Sequence, residues 1–275
     1  TVADDIGTHG YNENIAHIVS KILDDNRNKI YYQSISTHRE EDSNRYEELT
    51  RIVDEDGNII LPGEFFSMAI NSGKAIDVDY YVIDNIVRMM SENADQPMKL
   101  FIKLTRQSVA SQDFTVWVME KIKEYRVNPA QLVFEVSEGM LVNELKNLSI
   151  MSKALNAIGC KVAIEHYRMT TQPQHLQHIQ ADYLKIDSGL VQNIGSKGKC
   201  FSKVTEIMDL ARRHNFITIA EGVESPACLS ILWELGINFA QGYFIQAPSG
   251  QMDLEDNNSD EDEDDNKASY SLGLG

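Results

Sequence analysis

Charged and amide side chains recur where short apolar runs give way to loops, and their types are those of a phosphate or metal site. They are Glu47 and Arg51 in YEELTRI, Lys103 after KLFI, Glu135 and Glu138 in FEVSE, and Glu165-His166 after VAI. Lys185 and Asp187 follow in LKID, Glu221 and Glu224 in AEGVE, and Gln241 in QGY. Carboxylates that end several successive strands converge on one cavity, where they can ligate a cation, pair with lysine or retain a proton. A structural ion-pair network is the competing explanation, and the number of strand ends involved favours a pocket. His175 and His178 stand three apart in a polar QPQHLQHIQ stretch without a third ligand, so they read as surface histidines.

The elements that must position these groups alternate. Strand-like runs occupy 29–35, 99–104, 131–136, 160–164, 182–186 and 216–220. Helical patterns fill 79–92, 113–125, 144–159, 201–214 and 225–236, and 11–27 suggests a leading amphipathic helix. YEELTRIVDEDGNII predicts a hairpin with Asp56-Gly57 as its tight turn. Such alternation implies βαβ units and a mostly parallel sheet, closed as a barrel or left open. In a barrel, chemistry sits at the C-terminal ends of the strands. Met89, Met90, Trp117 and Trp233 fall on apolar helix faces and are expected in the core.

Composition narrows the function classes. The 275 residues fit one α/β barrel, and the net charge of −17 argues against long nucleic acid as a partner. No segment approaches the ~18 continuous apolar residues of a membrane span. Cys160, Cys200 and Cys228 are scattered, which suits a reducing cytoplasm and no thiolate metal site. Nine acidic side chains lie between Asp253 and Asp265, so 253–275 is expected to be a disordered acidic tail. The chain begins at Thr1 and reads as a piece of something longer, with 1–14 as linker and 15–252 as the domain.

YYQSIS, YEELTRI, LFIKLT, FEVSE, DYLKID, IAEGVES and QGYFIQAP resemble, in order and spacing, the motifs of EAL domains over about residues 15 to 250. The resemblance implies a modified (β/α)8 TIM-type barrel that hydrolyses cyclic di-GMP with two divalent cations. It also assigns ligand contacts to Gln33, Leu49, Arg51, Asp79, Arg106, Glu221, Glu224 and Gln241. Arg51 would meet a phosphate, Asp79 a guanine edge and Arg106 a guanine face. Taken alone, Asp79 is equally a helix N-terminal charge.

Glu47, Lys103, Glu135, Glu165, His166 and Lys185 fall on the catalytic positions, and three of them depart from the family. Lys103 replaces a metal-ligating asparagine, and Glu165-His166 replace tandem aspartates. The loop after them, YRMTTQPQHL, is normally glycine-rich and is one residue shorter here. Magnesium wants hard oxygen ligands, whereas imidazole suits zinc or nickel. A unit charge pair at ~4 Å is worth about 4 kcal/mol at an effective dielectric of about 20, and a divalent ion feels roughly twice that repulsion from Lys103.

The expectation is therefore a degenerate, catalytically inactive receptor with no metal or cofactor, and with Lys103 neutralising Glu47 and Glu135. Within the family the pattern is most similar to FimX-like cyclic di-GMP receptors of type IV pilus signalling. That implies a PilZ-domain partner and an upstream GGDEF-like domain. One FimX feature is missing, because Gly222 offers no side chain to stack on a base. The alternatives are a weakly active phosphodiesterase and a nucleotide-independent interaction module.

Overall fold

A computed structural model describes residues 16–252 except 26, 38–43, 54–55, 61, 97 and 196. The expected linker at 1–14 and acidic tail at 253–275 lie outside the described residues. The strands are β1 (Asn28–Ser34), β2 (Arg45–Val53), β3 (Ile59–Ile60), β4 (Lys99–Lys103), β5 (Leu132–Ser137), β6 (Lys161–Tyr167), β7 (Tyr183–Ile186), β8 (Ile217–Ala220) and β9 (Phe239–Ala240). They form one curled sheet in the order β1-β2-β4-β5-β6-β7-β8-β9, with β3 added to β2. From β2 to β9 the neighbours on this path are parallel, and only β1 runs antiparallel, against β2. Reciprocal backbone bonds of 2.9 and 2.8 Å join Ser36 to Ala240, and a second pair joins Tyr32 to Ser249. These bridges bring the two ends of the sheet together and leave neither edge open. The architecture is the TIM-type α/β barrel expected.

Helices cover the outside. Ala75–Glu92 buries Val78, Val82, Ile83, Ile86, Val87 and Met90 at helical spacing against the strands. Lys199–His214 ends on Asn215 in the left-handed conformation (φ 58°), which accepts the chain reversal into β8. The described part of the leading segment is helical over 16–24 and buries Val19 and Ile22. Met90 is buried, and Met89, Trp117 and Trp233 pack against the same core.

The structure departs from the expected elements at two points and agrees with the expectation at a third, His175 and His178. The β2–β3 hairpin is real, but its last pair is Val53–Ile59, so Asp56-Gly57 is not flanked directly by paired residues as in a two-residue turn. The strand β9 and the helix Pro62–Asn71 were not anticipated, because Phe239–Ala240 is too short to show a period. His175 and His178 sit in a 3-10 turn, Pro173–His178, and join no metal-competent cluster among the described residues.

The interior is layered by the period of two along each strand. Ile35, Phe101, Val133, Ala163, Tyr183, Ile219 and Phe239 form a separate apolar cluster. Phe101 meets Tyr183 edge to face at 5.1 Å, and the Arg45 guanidinium lies 4.4 Å over Phe239. Two residues further toward the C-terminal face, the same strands present Gln33, Glu47, Lys103, Glu135, Glu165, Lys185, Glu221 and Gln241. The charged layer is thus the next pleat above the apolar one.

Candidate functional site

Glu47, on β2, is the hub of that layer. Its Oε2 accepts from Lys185 Nζ at 2.6 Å and from Gln241 Nε2 at 2.7 Å, and its Oε1 lies 2.7 Å from Lys103 Nζ. Lys185 is fully buried and also reaches Glu135 at 2.8 Å and Glu221 at 3.3 Å. The second partner of Lys103 is Glu165, at 3.2 Å, and not Glu135 as expected. Glu135 stands on the strand beside β4 with its carboxylate turned toward Lys185, so one lysine serves each flank of Glu47. Gln241 continues the network to Gln33 at 3.0 Å, and Gln33 donates to the Gln246 carbonyl.

Glu165 and His166 are consecutive, and a regular strand would send them to opposite faces. The β6–β7 register shifts between Ile164 and Tyr167, and His166 adopts φ 52°, so a bulge turns both toward the cavity. His166 Nδ1 sits 3.0 Å from Glu221 Oε2, and its side chain remains 50% exposed. Beyond it, Glu138 accepts from the backbone N–H groups of Arg168, Thr170 and Thr171 at 2.6 to 2.8 Å. Arg168 Nε donates to Asp187 at 2.6 Å. These bonds fasten the loop after β6 to the ends of β5 and β7.

Charge does not balance through lysine alone. Four carboxylates (Glu47, Glu135, Glu165, Glu221) face two ammonium groups and one imidazole. Burial pushes Glu135 up to about 8, helped by Glu47 and Glu165 and opposed by Lys185. Burial also works against Glu47, but the two lysines overcome it and hold the carboxylate well below its usual range. Hydrogen bonding to Glu221 raises His166 to about 9, so the imidazole is a cation at neutral pH. Glu221 is held low by Lys185 and His166 despite its burial. One proton on Glu135 then leaves the layer near neutrality, which a water-poor interior requires.

The other expected residues lie around the rim. Arg51 stands at the upper end of β2, half-buried, and its guanidinium donates to the Thr50 carbonyl at 3.2 Å. Leu49 is half-buried one pleat below it, opposite Tyr31. Glu224 is exposed and accepts from Gln192 at 2.8 Å. Asp79 is 3% exposed, and its Oδ2 accepts from Thr105 N, Thr105 Oγ1 and Ser108 Oγ at 2.6 to 2.8 Å. At this position it fixes the turn that carries Arg106. Arg106 is 65% exposed, with Nε donating to Glu144 at 2.7 Å. Gly222 has φ 69°, and a Cβ there would lie 2.6 Å from that of Ser188. The packing thus leaves no room for a stacking side chain at Gly222.

Sequence reasoning passed over Glu144, the Arg168–Asp187 pair and Glu48. Glu48 is buried on the outer side of β2, and burial raises it to about 7 while Thr50 bonds to it.

A family model for the EAL domain matches residues 17–248, and the chain belongs to the EAL domain family. It is 32% identical over 211 residues to the cyclic di-GMP phosphodiesterase PdeF of Escherichia coli K12, covering 76% of this chain and 28% of PdeF. It is 24% identical over 194 residues to the bifunctional diguanylate cyclase/cyclic di-GMP phosphodiesterase MucR of Pseudomonas aeruginosa, covering 69% of this chain and 28% of MucR. The chain thus spans under a third of either relative. Among solved structures, it is similar to the FimX EAL domain from Pseudomonas aeruginosa bound to c-di-GMP. The TM-score is 0.82 at 26% identity, covering 88% of this chain and 98% of that one.

Proposed function

We propose that this EAL domain is a catalytically inactive receptor for cyclic di-GMP. The observation that carries the reading is the Lys103 ammonium, 2.7 Å from Glu47 and 3.2 Å from Glu165. A family magnesium pair would draw on the same carboxylates, so each ion would have to displace a charge-assisted bond and then face the displaced cation. His166 adds an imidazolium bonded to Glu221, whose proton blocks the nitrogen that would ligate. The residues do not fit a pair of magnesium ions. They fit a preformed pocket whose carboxylates are already neutralised, with Lys103 and His166 facing an incoming phosphodiester.

Arg51 is proposed to take a phosphate, Arg106 a base face, and Gln33, Leu49, Glu221, Glu224 and Gln241 the remaining contacts. Asp79 contributes by fixing the turn before Arg106. The motif resemblance to FimX-like receptors extends this proposal to a PilZ-domain partner and type IV pilus signalling in the cytoplasm. MucR, a bifunctional diguanylate cyclase/cyclic di-GMP phosphodiesterase of which this chain covers 28%, supports extending the reading to an upstream GGDEF-like domain. Among the described residues no helix is long and apolar enough to cross a membrane.

A second reading, weak phosphodiesterase activity, is favoured by one feature. Ligand atoms of Glu165, His166 and Glu221 lie within 4.8 Å of one another, close enough for a single transition ion. Calorimetric titration with cyclic di-GMP, with and without magnesium, followed by chromatography of the mixture, separates the two. The receptor predicts equal binding in both and intact dinucleotide; conversion to the linear form with magnesium would establish the enzyme. Arg51→Ala should weaken binding about tenfold or more, the scale of a lost charged hydrogen bond, without lowering the melting temperature. Unchanged affinity would remove Arg51 from the site.

A further inference from the structure

We infer that Glu144 is a positioning residue for nucleobase recognition: it clamps the edge of the Arg106 guanidinium and presents the open face to a stacked purine. The inference rests on the receptor reading and goes beyond it.

Arg106 is the first residue of the short helix Arg106–Ala110, on the loop that follows β4. Its backbone is fixed from below, because Asp79 Oδ2 accepts from the N–H and hydroxyl of Thr105 immediately before it. The side chain then crosses to the loop after β5, where Nε donates to Glu144 Oε1 at 2.7 Å. The other carboxylate oxygen of Glu144 accepts from Asn147 Nδ2 at 2.9 Å. Glu144 itself begins the helix Leu145–Ala157, where the helix end favours negative charge. Its side chain is only 10% exposed, whereas that of Arg106 is 65% exposed.

The guanidinium is planar, and a carboxylate binds it in that plane. An in-plane bond at Nε leaves both faces available while removing rotations about the outer side-chain bonds. A free arginine on a rim loses that freedom when a base stacks on it, at a cost in affinity that a preorganised one has already met. The chain Asn147–Glu144–Arg106 supplies this preorganisation from two adjacent strand-to-helix loops. With Gly222 unable to carry a stacking group, a single well-held face matters more for the base.

The test is calorimetric titration of cyclic di-GMP into the wild-type chain, Glu144→Ala, Glu144→Gln, Arg106→Ala and the Glu144→Ala/Arg106→Ala double variant. Melting temperatures are measured alongside. Glu144→Ala should weaken binding on the order of threefold to tenfold. Glu144→Gln, whose amide oxygen still accepts from Nε, should recover part of that loss. In the Arg106→Ala background, Glu144→Ala should cost nothing further, which a merely structural role would not produce. Wild-type affinity in Glu144→Ala, tighter binding, or additive losses in the double variant would overturn the inference while leaving the receptor reading intact. Absence of binding by the wild-type chain would remove both.

Discussion

The two inner layers of the barrel occupy the same strands one pleat apart, yet they are held together by opposite means. The lower layer is Phe101, Tyr183, Phe239 and smaller apolar neighbours, in which each side chain contributes by excluding water. The upper layer packs four buried glutamates around the fully buried Lys185 and the partly exposed Lys103. Nothing there is gained by burial itself; each charge stays only because another is within hydrogen-bond reach. The lower layer tolerates a change of one member as a cavity. The upper layer cannot lose its buried cation, Lys185, without leaving a carboxylate partner charged and dry. The same strands thus provide a rigid floor and, on it, a polar surface fixed before any ligand arrives.

Lys185→Met should show the largest effect, because it takes the one fully buried cation away from the Glu47 and Glu221 carboxylates. A loss of about 3–5 kcal/mol in urea unfolding is expected. A loss below about 1 kcal/mol would mean that the upper layer is not held by this ion pair. Phe101→Ala should cost about 3 kcal/mol by leaving a cavity in the lower layer. Its unfolding free energy should keep the wild-type pH dependence, since the Lys185 ammonium loses only a 6.0 Å approach to the Phe101 ring and keeps all its ion pairs. A changed pH profile would show that the layers are coupled.

These layers were unequally readable in the sequence. The strand ends KLFIK, LVFEV and YLKI announce both layers through their alternation, and the charged members Glu47, Glu135, Lys185 and Glu221 follow from them. Partnerships do not follow from spacing. Lys103 chooses Glu165 over Glu135 because of the side-chain directions at the strand ends. The bulge that turns both Glu165 and His166 inward is a backbone event without a glycine to mark it. Asp79 is expected at a guanine edge, and its burial against Thr105 and Ser108 depends on where the helix Ala75–Glu92 meets the start of the helix Arg106–Ala110.

Lys103 differs from Lys185 in keeping 39% of its side chain exposed. Lys103→Asn should therefore cost only about 1 kcal/mol without metal. It should also gain a magnesium-dependent rise in melting temperature that the wild-type chain lacks. Equal magnesium responses in the two proteins would show that Lys103 does not control the site.

The smallest effect concerns pH. His166 is raised from 6.5 to about 9 by its bond to Glu221, so its contribution is complete below about 6.5 and is lost as pH rises through about 9. Burial of Glu135 acts in the same direction, from 4.5 up to about 8. Glu47 and Glu221, held low, act oppositely and withdraw their support only in acid. Stability should thus decline from neutrality toward pH 9, and His166→Gln should flatten the upper part of that decline. An unchanged slope in the variant would place the alkaline limb elsewhere.

A receptor without metal requires that the Lys103 ammonium and the His166 imidazolium keep their carboxylate partners from a metal pair. Electron paramagnetic resonance of manganese titrated into the wild-type chain, with cyclic di-GMP present, addresses this directly. The manganese signal should stay that of the free ion while the nucleotide is bound. Stoichiometric loss of that signal, reporting two ions held beside the nucleotide, would contradict it.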